Sequence, residues 1–120
     1  MNRTVALTAA ALLILFARDG FAAGDEARGK ALYGVCATCH GPDAQGMKEM
    51  NAPRLAGREE WYLIRQLQNF KSGARGKDPR DTYGLQMAPM AQVLADQQAI
   101  EDVAAYLRSL GAADPERSSD

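Results

Sequence analysis

The sequence predicts an all-α domain with three main helices. Three segments carry apolar residues at helical spacing, no segment reads convincingly as a strand, and two long stretches rich in glycine and proline separate the helices. The chain has 120 residues, with 14 basic against 15 acidic side chains and a net charge of -1. That length suits one domain, and near-neutrality argues against a dedicated nucleic-acid-binding protein.

The first helix is predicted within residues 25–35 and the second over residues 59–71. Gly29 inside the first helix predicts close packing, because a mid-helix glycine costs about 1 kcal/mol relative to alanine. The third helix carries a single apolar stripe formed by Ile100, Val103, Ala104, Leu107 and Leu110. Asp96 is its expected N-cap and Gly111 its expected stop.

Two long loops, residues 41–57 and 73–89, complete the expected domain. Long loops in a compact domain are usually functional or disordered. Wrapping a bound cofactor is one way to keep such loops ordered.

The N-terminus has the pattern of a secretory signal peptide. Arg3 precedes the uncharged run 5–16 (VALTAAALLILF), which is too short to span a bilayer, and small residues follow. We expect cleavage after Ala22 or Ala23; a buried helix and an uncleaved anchor are the alternatives. The expected organisation is a signal peptide at 1–22, a folded domain at 23–112 and a flexible polar tail at 113–120. A periplasmic protein without a stable membrane span follows from this reading.

The chemistry lies in one pentapeptide, residues 36–40 (CATCH). This C-x-x-C-H pattern is the attachment signature of c-type haem. The thiols of Cys36 and Cys39 can add to the two haem vinyl groups, and His40 then becomes the proximal iron ligand. The sequence therefore predicts one covalently attached haem c.

Other readings of the pentapeptide are weaker. A thioredoxin-like redox pair belongs near a βαβ pattern, which this sequence lacks. A zinc site needs four ligands, and the chain offers no second cluster of cysteine or histidine. A structural disulfide between Cys36 and Cys39 would have no use for His40.

The sixth iron ligand has to come from another residue type, because His40 is the only histidine. Lysine is possible, but the thioether of methionine is the usual partner in electron-transfer cytochromes. The candidates outside the signal peptide are Met47, Met50, Met87 and Met90.

Taken together, these segments resemble a class I c-type cytochrome, and most of all a single domain of the cytochrome c4 group. The resemblance rests on five blocks: residues 36–42 (CATCHGP), 53–57 (PRLAG), 62–73 (YLIRQLQNFKSG), Met87 and 94–107 (LADQQAIEDVAAYL). It implies a small fold of three main helices and long loops around one haem. Two features depart from the group: there is one haem motif where cytochrome c4 has two haem domains, and Ala95 occupies a usual serine position.

The resemblance also implies roles for particular residues. The axial methionine stands about nine residues before the acid that opens the last helix, which selects Met87, with Met90 as second choice. The carbonyl of Pro53 would accept the N–H of the proximal imidazole, with Pro42 as the alternative. The first and last helices would cross where Gly29 and Tyr33 meet Val103 and Tyr106, as packing only.

Closing both axial positions predicts a non-enzymatic function with no catalytic residues. We expect a periplasmic one-electron carrier of a respiratory chain, whose partners are redox proteins that donate and accept electrons. The alternatives are a permanent haem subunit of a dehydrogenase or oxidase, and a haem protein with an open sixth site that binds gases or acts like a peroxidase. The basic stretch from 71 to 80 is either a solvated loop or a docking site for an acidic partner.

Overall fold

The computed structural model of the protein describes residues 23–111, which form five α-helices joined by loops. The helices are α1 (Glu26–Tyr33), α2 (Ala37–His40), α3 (Glu60–Ser72), α4 (Thr82–Ala91) and α5 (Gln97–Ser109), and a 3₁₀ turn covers Lys48–Met50. Over these residues the β-type pairing is limited to one bridge, between Met47 and Ala52. The predicted all-α class is confirmed.

The expected signal peptide at 1–22 and the expected tail at 113–120 lie outside the described residues. Within residues 23–111, no helix combines the length and the apolar character needed to cross a bilayer.

Helices α1 and α5 cross at a glycine. A Cβ atom on Gly29 would lie 1.9 Å from the carbonyl oxygen of Asp102 and 2.8 Å from the Cβ of Tyr106, so no larger residue fits. Next to this contact the rings of Tyr33 and Tyr106 pack with their centroids 5.6 Å apart. The close approach predicted from Gly29 is therefore present, and it joins the two ends of the described chain.

A buried carboxylate reinforces the same crossing. Asp102 is only 2% exposed, and it accepts hydrogen bonds from the Asp25 amide at 2.7 Å, from Arg28 Nε at 2.9 Å and from Gln98 Nε2 at 2.9 Å. The hydrogen bond from Arg28 holds the pKa of this carboxyl well below its usual range. Asp102 was not among the residues singled out from the sequence, although it is an acidic residue directly before Val103 in the apolar stripe of α5.

The core lies between α1, α3 and α5. The predicted α5 stripe is buried except for Leu110, which is half-buried at the C-cap. The N-cap is as expected: Asp96 Oδ1 accepts the amide of Ala99 at 2.8 Å. The buried apolar cluster consists of Tyr33, Ala44, Ala56, Leu63, Leu94, Ile100, Val103, Ala104, Tyr106 and Leu107. This packing fixes the frame on which the loops are supported.

Helix α4 corrects one prediction. Residues 73–89 were expected to be a loop, yet Thr82–Ala91 is helical and contains Pro89. The helix begins because Asp81 Oδ1 accepts the amide of Gly84 at 2.8 Å. Pro89 lies in the last turn, where its missing N–H removes the hydrogen bond that would reach the carbonyl of Leu85, and the helix ends two residues later. The two methionines at 87 and 90 are therefore carried by a helix.

Candidate haem-binding site

The cysteines and the histidine of the motif share one helical turn. The carbonyl of Cys36 accepts the amides of Cys39 at 3.2 Å and of His40 at 3.0 Å, which closes this turn as α2. Both cysteines are free thiols and half-buried. The turn thus places two cysteine side chains next to one imidazole.

The thiol of Cys36 does not resemble that of a redox-active pair. Burial raises the pKa of Cys36 above its usual value, and the nearby Cys39 adds to the increase. Catalytic C-x-x-C pairs depend on the opposite shift, a lowered pKa that yields a thiolate. Residues 23–111 contain no group of three or more His, Cys, Asp or Glu side chains placed to hold a metal ion.

The imidazole of His40 is oriented by a backbone carbonyl. His40 is 7% exposed, and its Nδ1 lies 2.8 Å from the carbonyl oxygen of Pro53. A carbonyl oxygen can only accept, so Nδ1 carries the proton that it donates, and in the neutral imidazole this tautomer leaves the lone pair on Nε2. Among the described residues Nε2 has no hydrogen-bond partner. The ring is therefore prepared to bind a metal through Nε2.

The loop 41–57 is folded tightly behind this ring. The amide of Gly46 donates to the His40 carbonyl at 2.8 Å, and the fully buried Ala44 accepts the amides of Leu55 at 2.9 Å and Ala56 at 3.1 Å. From the other side, the hydroxyl of Tyr33 donates to the carbonyl of Gly41 at 2.6 Å. These bonds fix the Pro53 carbonyl relative to His40 and connect the loop to the helix crossing.

The methionines fall into two groups. Met47 belongs to the loop behind the ring, where it exchanges backbone hydrogen bonds with Ala52 at 3.0 and 3.1 Å, and Met50 ends the following 3₁₀ turn. Met87 and Met90 are both half-buried in α4. Because they are three positions apart on a helix, they share one side of it.

In the basic stretch 71–80, three of the four basic side chains have partners within the protein. Lys71 donates to the carbonyl of Leu94, and Arg80 pairs with Asp78 at 2.6 Å. Arg75 donates to Gln66 at 2.8 Å, and its guanidinium lies 4.6 Å from the ring centre of Phe70. Only Arg80 is paired with an acid, so the stretch keeps most of its positive charge, and both interpretations, a solvated loop and a docking site for an acidic partner, stay open.

The residues present fit a covalently held haem. The core has an apolar rim that is only partly buried and that includes Cys36 itself; its members are Leu32, Cys36, Ala37, Leu55, Ile64, Leu67, Ala99 and Leu110. A large apolar cofactor attached at the motif would bury surface of this kind. Two neighbouring cysteines that form no disulfide and a histidine whose Nε2 is available for coordination, in an all-α fold, are the features of a c-type cytochrome.

Comparison with known proteins gives the family. The cytochrome c family model matches residues 26–111, and the chain belongs to the cytochrome c family. It is 41% identical over 101 residues to cytochrome c4 of Azotobacter vinelandii, an alignment that covers 79% of this chain and 47% of that protein. The chain thus spans about half the length of the cytochrome c4 relatives that it matches.

Other relatives are shorter or differently named. Cytochrome c-554(548) of Halomonas halodenitrificans is 38% identical over 87 residues, which cover 72% of this chain and 98% of that protein. A protein of Stutzerimonas stutzeri (strain A1501) named thiosulfate dehydrogenase electron acceptor is 42% identical over 80 residues, covering 67% and 33%. The chain is thus a c-type cytochrome close to cytochrome c4, with one attachment motif for covalently bound haem c.

Proposed function

We propose that the protein moves single electrons between redox partners of a respiratory chain in the periplasm. Haem c is attached at Cys36 and Cys39, and the axial iron ligands are His40 and Met87. The bound haem supplies an iron that alternates between the ferric and ferrous states. The observation that carries this proposal is the 2.8 Å contact between His40 Nδ1 and the Pro53 carbonyl, because it leaves Nε2 as the coordinating atom.

Pro53 acts through the histidine. By accepting the Nδ1 proton it sets the ring orientation and makes Nε2 a stronger electron donor to the iron. No hydrogen bond joins His40 to Pro42, the alternative acceptor, among the described residues. We therefore assign the proximal support to Pro53.

The position of the ring favours α4 as the source of the sixth ligand. Nε2 and Nδ1 lie on opposite sides of the imidazole, so the loop that contacts Nδ1 is behind the proximal ligand. Met47 and Met50 belong to that loop, whereas Met87 and Met90 come from a separate helix. Within α4, the resemblance to cytochrome c4 selects Met87 over Met90.

A carrier follows from this ligation. With His40 and Met87 both holding the iron, no position would be left for a substrate, and the haem would serve only to exchange electrons with partner proteins. The name of the Stutzerimonas stutzeri relative, an electron acceptor for a dehydrogenase, supports a dehydrogenase as one class of electron donor. The same name supports the second candidate function, a haem subunit that is permanently bound to a dehydrogenase.

Export to the periplasm is supported by the signal-like N-terminus. The first described residues also fit cleavage before Gly24, since a Cβ at Gly24 would lie 2.2 Å from the Glu101 carbonyl and the Asp25 amide binds Asp102. N-terminal sequencing of the purified periplasmic fraction should find residue 23 or 24 first. Recovery of the intact N-terminus in the membrane fraction would contradict this.

Two measurements test the site. Mass spectrometry of denatured protein should give the polypeptide plus one haem, and acid-acetone extraction should release none. Met87→Ala should remove the charge-transfer band between thioether sulfur and ferric iron and allow the ferrous protein to bind carbon monoxide, while Met90→Ala, the matched control, should keep the band. The reverse pattern would make Met90 the ligand, and a wild-type protein without the band would contradict methionine ligation.

A further inference from the structure

The end of α3 is joined to the segment that follows α4 by two opposed hydrogen bonds. Lys71 Nζ donates to the carbonyl of Leu94, and Gln92 Nε2 donates back to the carbonyl of Lys71 at 3.1 Å. A third bond, from Gln68 Nε2 to Gln97 Oε1 at 2.9 Å, continues the same contact onto α5. Lys71 therefore takes part in both bonds that hold the 92–94 segment.

This segment has weak support from its own backbone. The amides of residues 92, 93 and 94 donate to the carbonyls of Pro89, Met90 and Ala91 at 3.2, 3.3 and 3.3 Å, which is long for such bonds. The side chain of Leu94 is buried and anchors the segment in the core. The side-chain hydrogen bonds made by Lys71 and Gln92 thus stabilise the 92–94 segment, whose own backbone hydrogen bonds are long.

The start of α4 is held in another way. Asp81 caps the helix, and Gly76 packs against it so closely that a Cβ there would lie 2.5 Å from the carbonyl of Gly84 and 2.8 Å from the Cβ of Ala88. The bonds of Lys71 and Gln92 act at the opposite end, at Gln92 and Leu94, one and three residues beyond Ala91. Met87 and Met90 lie between the cap at Asp81 and these bonds.

We propose that Lys71 is a positioning residue that sets how firmly the α4 methionine stays on the haem iron. The inference rests on the proposed methionine ligation. It adds the residue that controls how readily the methionine leaves the iron. The ammonium group is a charged donor, and hydrogen bonds from charged groups are about twice as strong as neutral ones. Without it the end of α4 gains freedom, the iron–sulfur bond opens more often, and an external ligand competes more easily.

The experiment measures the affinity of imidazole for the ferric holoprotein. Lys71→Met keeps a long side chain and removes the donor, and Lys71→Arg restores a charged donor. Lys77→Met is the matched control: it removes the same charge from an exposed lysine whose Nζ makes no hydrogen bond among the described residues. We expect Lys71→Met to bind imidazole about tenfold more tightly than wild type, a change of about 1.4 kcal/mol, with Lys71→Arg and Lys77→Met within about twofold.

Unfolding in guanidinium separates this role from a purely structural one. If Lys71 served only the fold, Lys71→Met would lower the free energy of unfolding and leave the imidazole constant unchanged, which would overturn the proposal. Equal imidazole constants for Lys71→Met and Lys77→Met would do the same. If Lys71→Met does not fold, Gln92→Ala removes only the returning bond and should shift the constant the same way by about threefold; no shift would also overturn it.

The wild-type spectrum keeps the two proposals distinguishable. A wild-type protein without the thioether band overturns the proposed ligation, and this inference with it. A wild-type protein that has the band, together with Lys71 variants that bind imidazole like wild type, overturns the role of Lys71 alone.

Discussion

The crossing of α1 and α5 and the support of α4 are built in different ways. At the crossing, backbone meets backbone at Gly29, two tyrosine rings pack, and the carboxylate of Asp102 is buried with three donors. Helix α4 is more open: Tyr83 is 53% and Leu85 42% exposed. It is held by the cap at Asp81, the close contact at Gly76 and the two hydrogen bonds between Lys71 and the 92–94 segment.

This difference separates the two proposed iron ligands. The loop behind His40 is tied to the crossing through the hydrogen bond from Tyr33 to Gly41, so the proximal side shares the stability of the core. The methionine side depends on a few polar contacts of α4. Changes at the crossing should therefore alter global stability, and changes around α4 should alter ligation.

The largest effect is expected at the crossing, for Gly29→Ala. The new Cβ would lie 1.9 Å from a backbone carbonyl, which cannot yield as a side chain can, so we expect a loss of about 3 kcal/mol or more in the free energy of unfolding. Guanidinium denaturation measures it. Gly34→Ala is the control, because its Cβ would be 3.8 Å from the nearest carbonyl in a helical conformation, and it should cost nothing measurable. Equal losses for the two variants would contradict the close-packed crossing.

The next effect tests the α4 side, with Gly76→Ala against Gly73→Ala. Both glycines have positive φ, 81° and 78°, so each substitution costs about 1–2 kcal/mol of backbone strain. Only at Gly76 would the Cβ also meet the backbone of α4, whereas at Gly73 it meets the flexible side chain of Lys77. We expect Gly76→Ala alone to weaken the thioether band. Loss of the band in both variants would show that strain in the loop, and not contact with α4, controls ligation.

A smaller effect is expected for Asp102→Asn, with a distinct pH dependence. Because Arg28 lowers the pKa of Asp102 in the folded protein, its stabilisation is complete above the unfolded value, about 3.9, and is lost as the pH falls toward the folded value. We expect the variant to be less stable by about 1–2 kcal/mol at pH 7, with the difference shrinking below pH 4.

Denaturation at several pH values checks this prediction. Asp78→Asn is the control, since the partner of Asp78, Arg80, is 89% exposed at its side chain and exposed pairs contribute little. A constant difference between wild type and Asp102→Asn from pH 7 to pH 3 would contradict the role of the charge.

The smallest effect concerns the surface beside α4, for Lys77→Glu. If the exposed haem edge lies near this loop, reversing one charge should slow oxidation of ferrous protein by the anion ferricyanide about twofold at low salt. The difference should disappear near 1 M salt, where the Debye length is about 3 Å. Glu60→Lys, on the first turn of α3, is the comparison. An unchanged oxidation rate at low salt would show that the loop with Lys77 does not lie near the exposed haem edge.

The parts that were predictable from the sequence depend on short-range patterns. These local patterns are the helical spacing of apolar residues in α3 and α5 and the cap at Asp96. The motif that contains Cys36, Cys39 and His40 is local as well. Helix α4 was missed because Gly84 and Pro89 indicate a loop when taken singly, while the cap at Asp81 outweighs them. The bond from Lys71 to Leu94 has no sequence signature, since its acceptor is a main-chain carbonyl that any residue provides.

The packing of α1 against α5 also determines the order in which parts of the chain fold. The Asp25 amide and its acceptor Asp102 stand 77 positions apart, and contacts of such separation close late because a long loop must be ordered first. A chain that emerges N-terminus first presents Cys36 and Cys39 well before Asp102 is available. Under the proposed export, the thiols are reachable before α5 packs against α1, and docking of the last helix then fixes the helix crossing beside them.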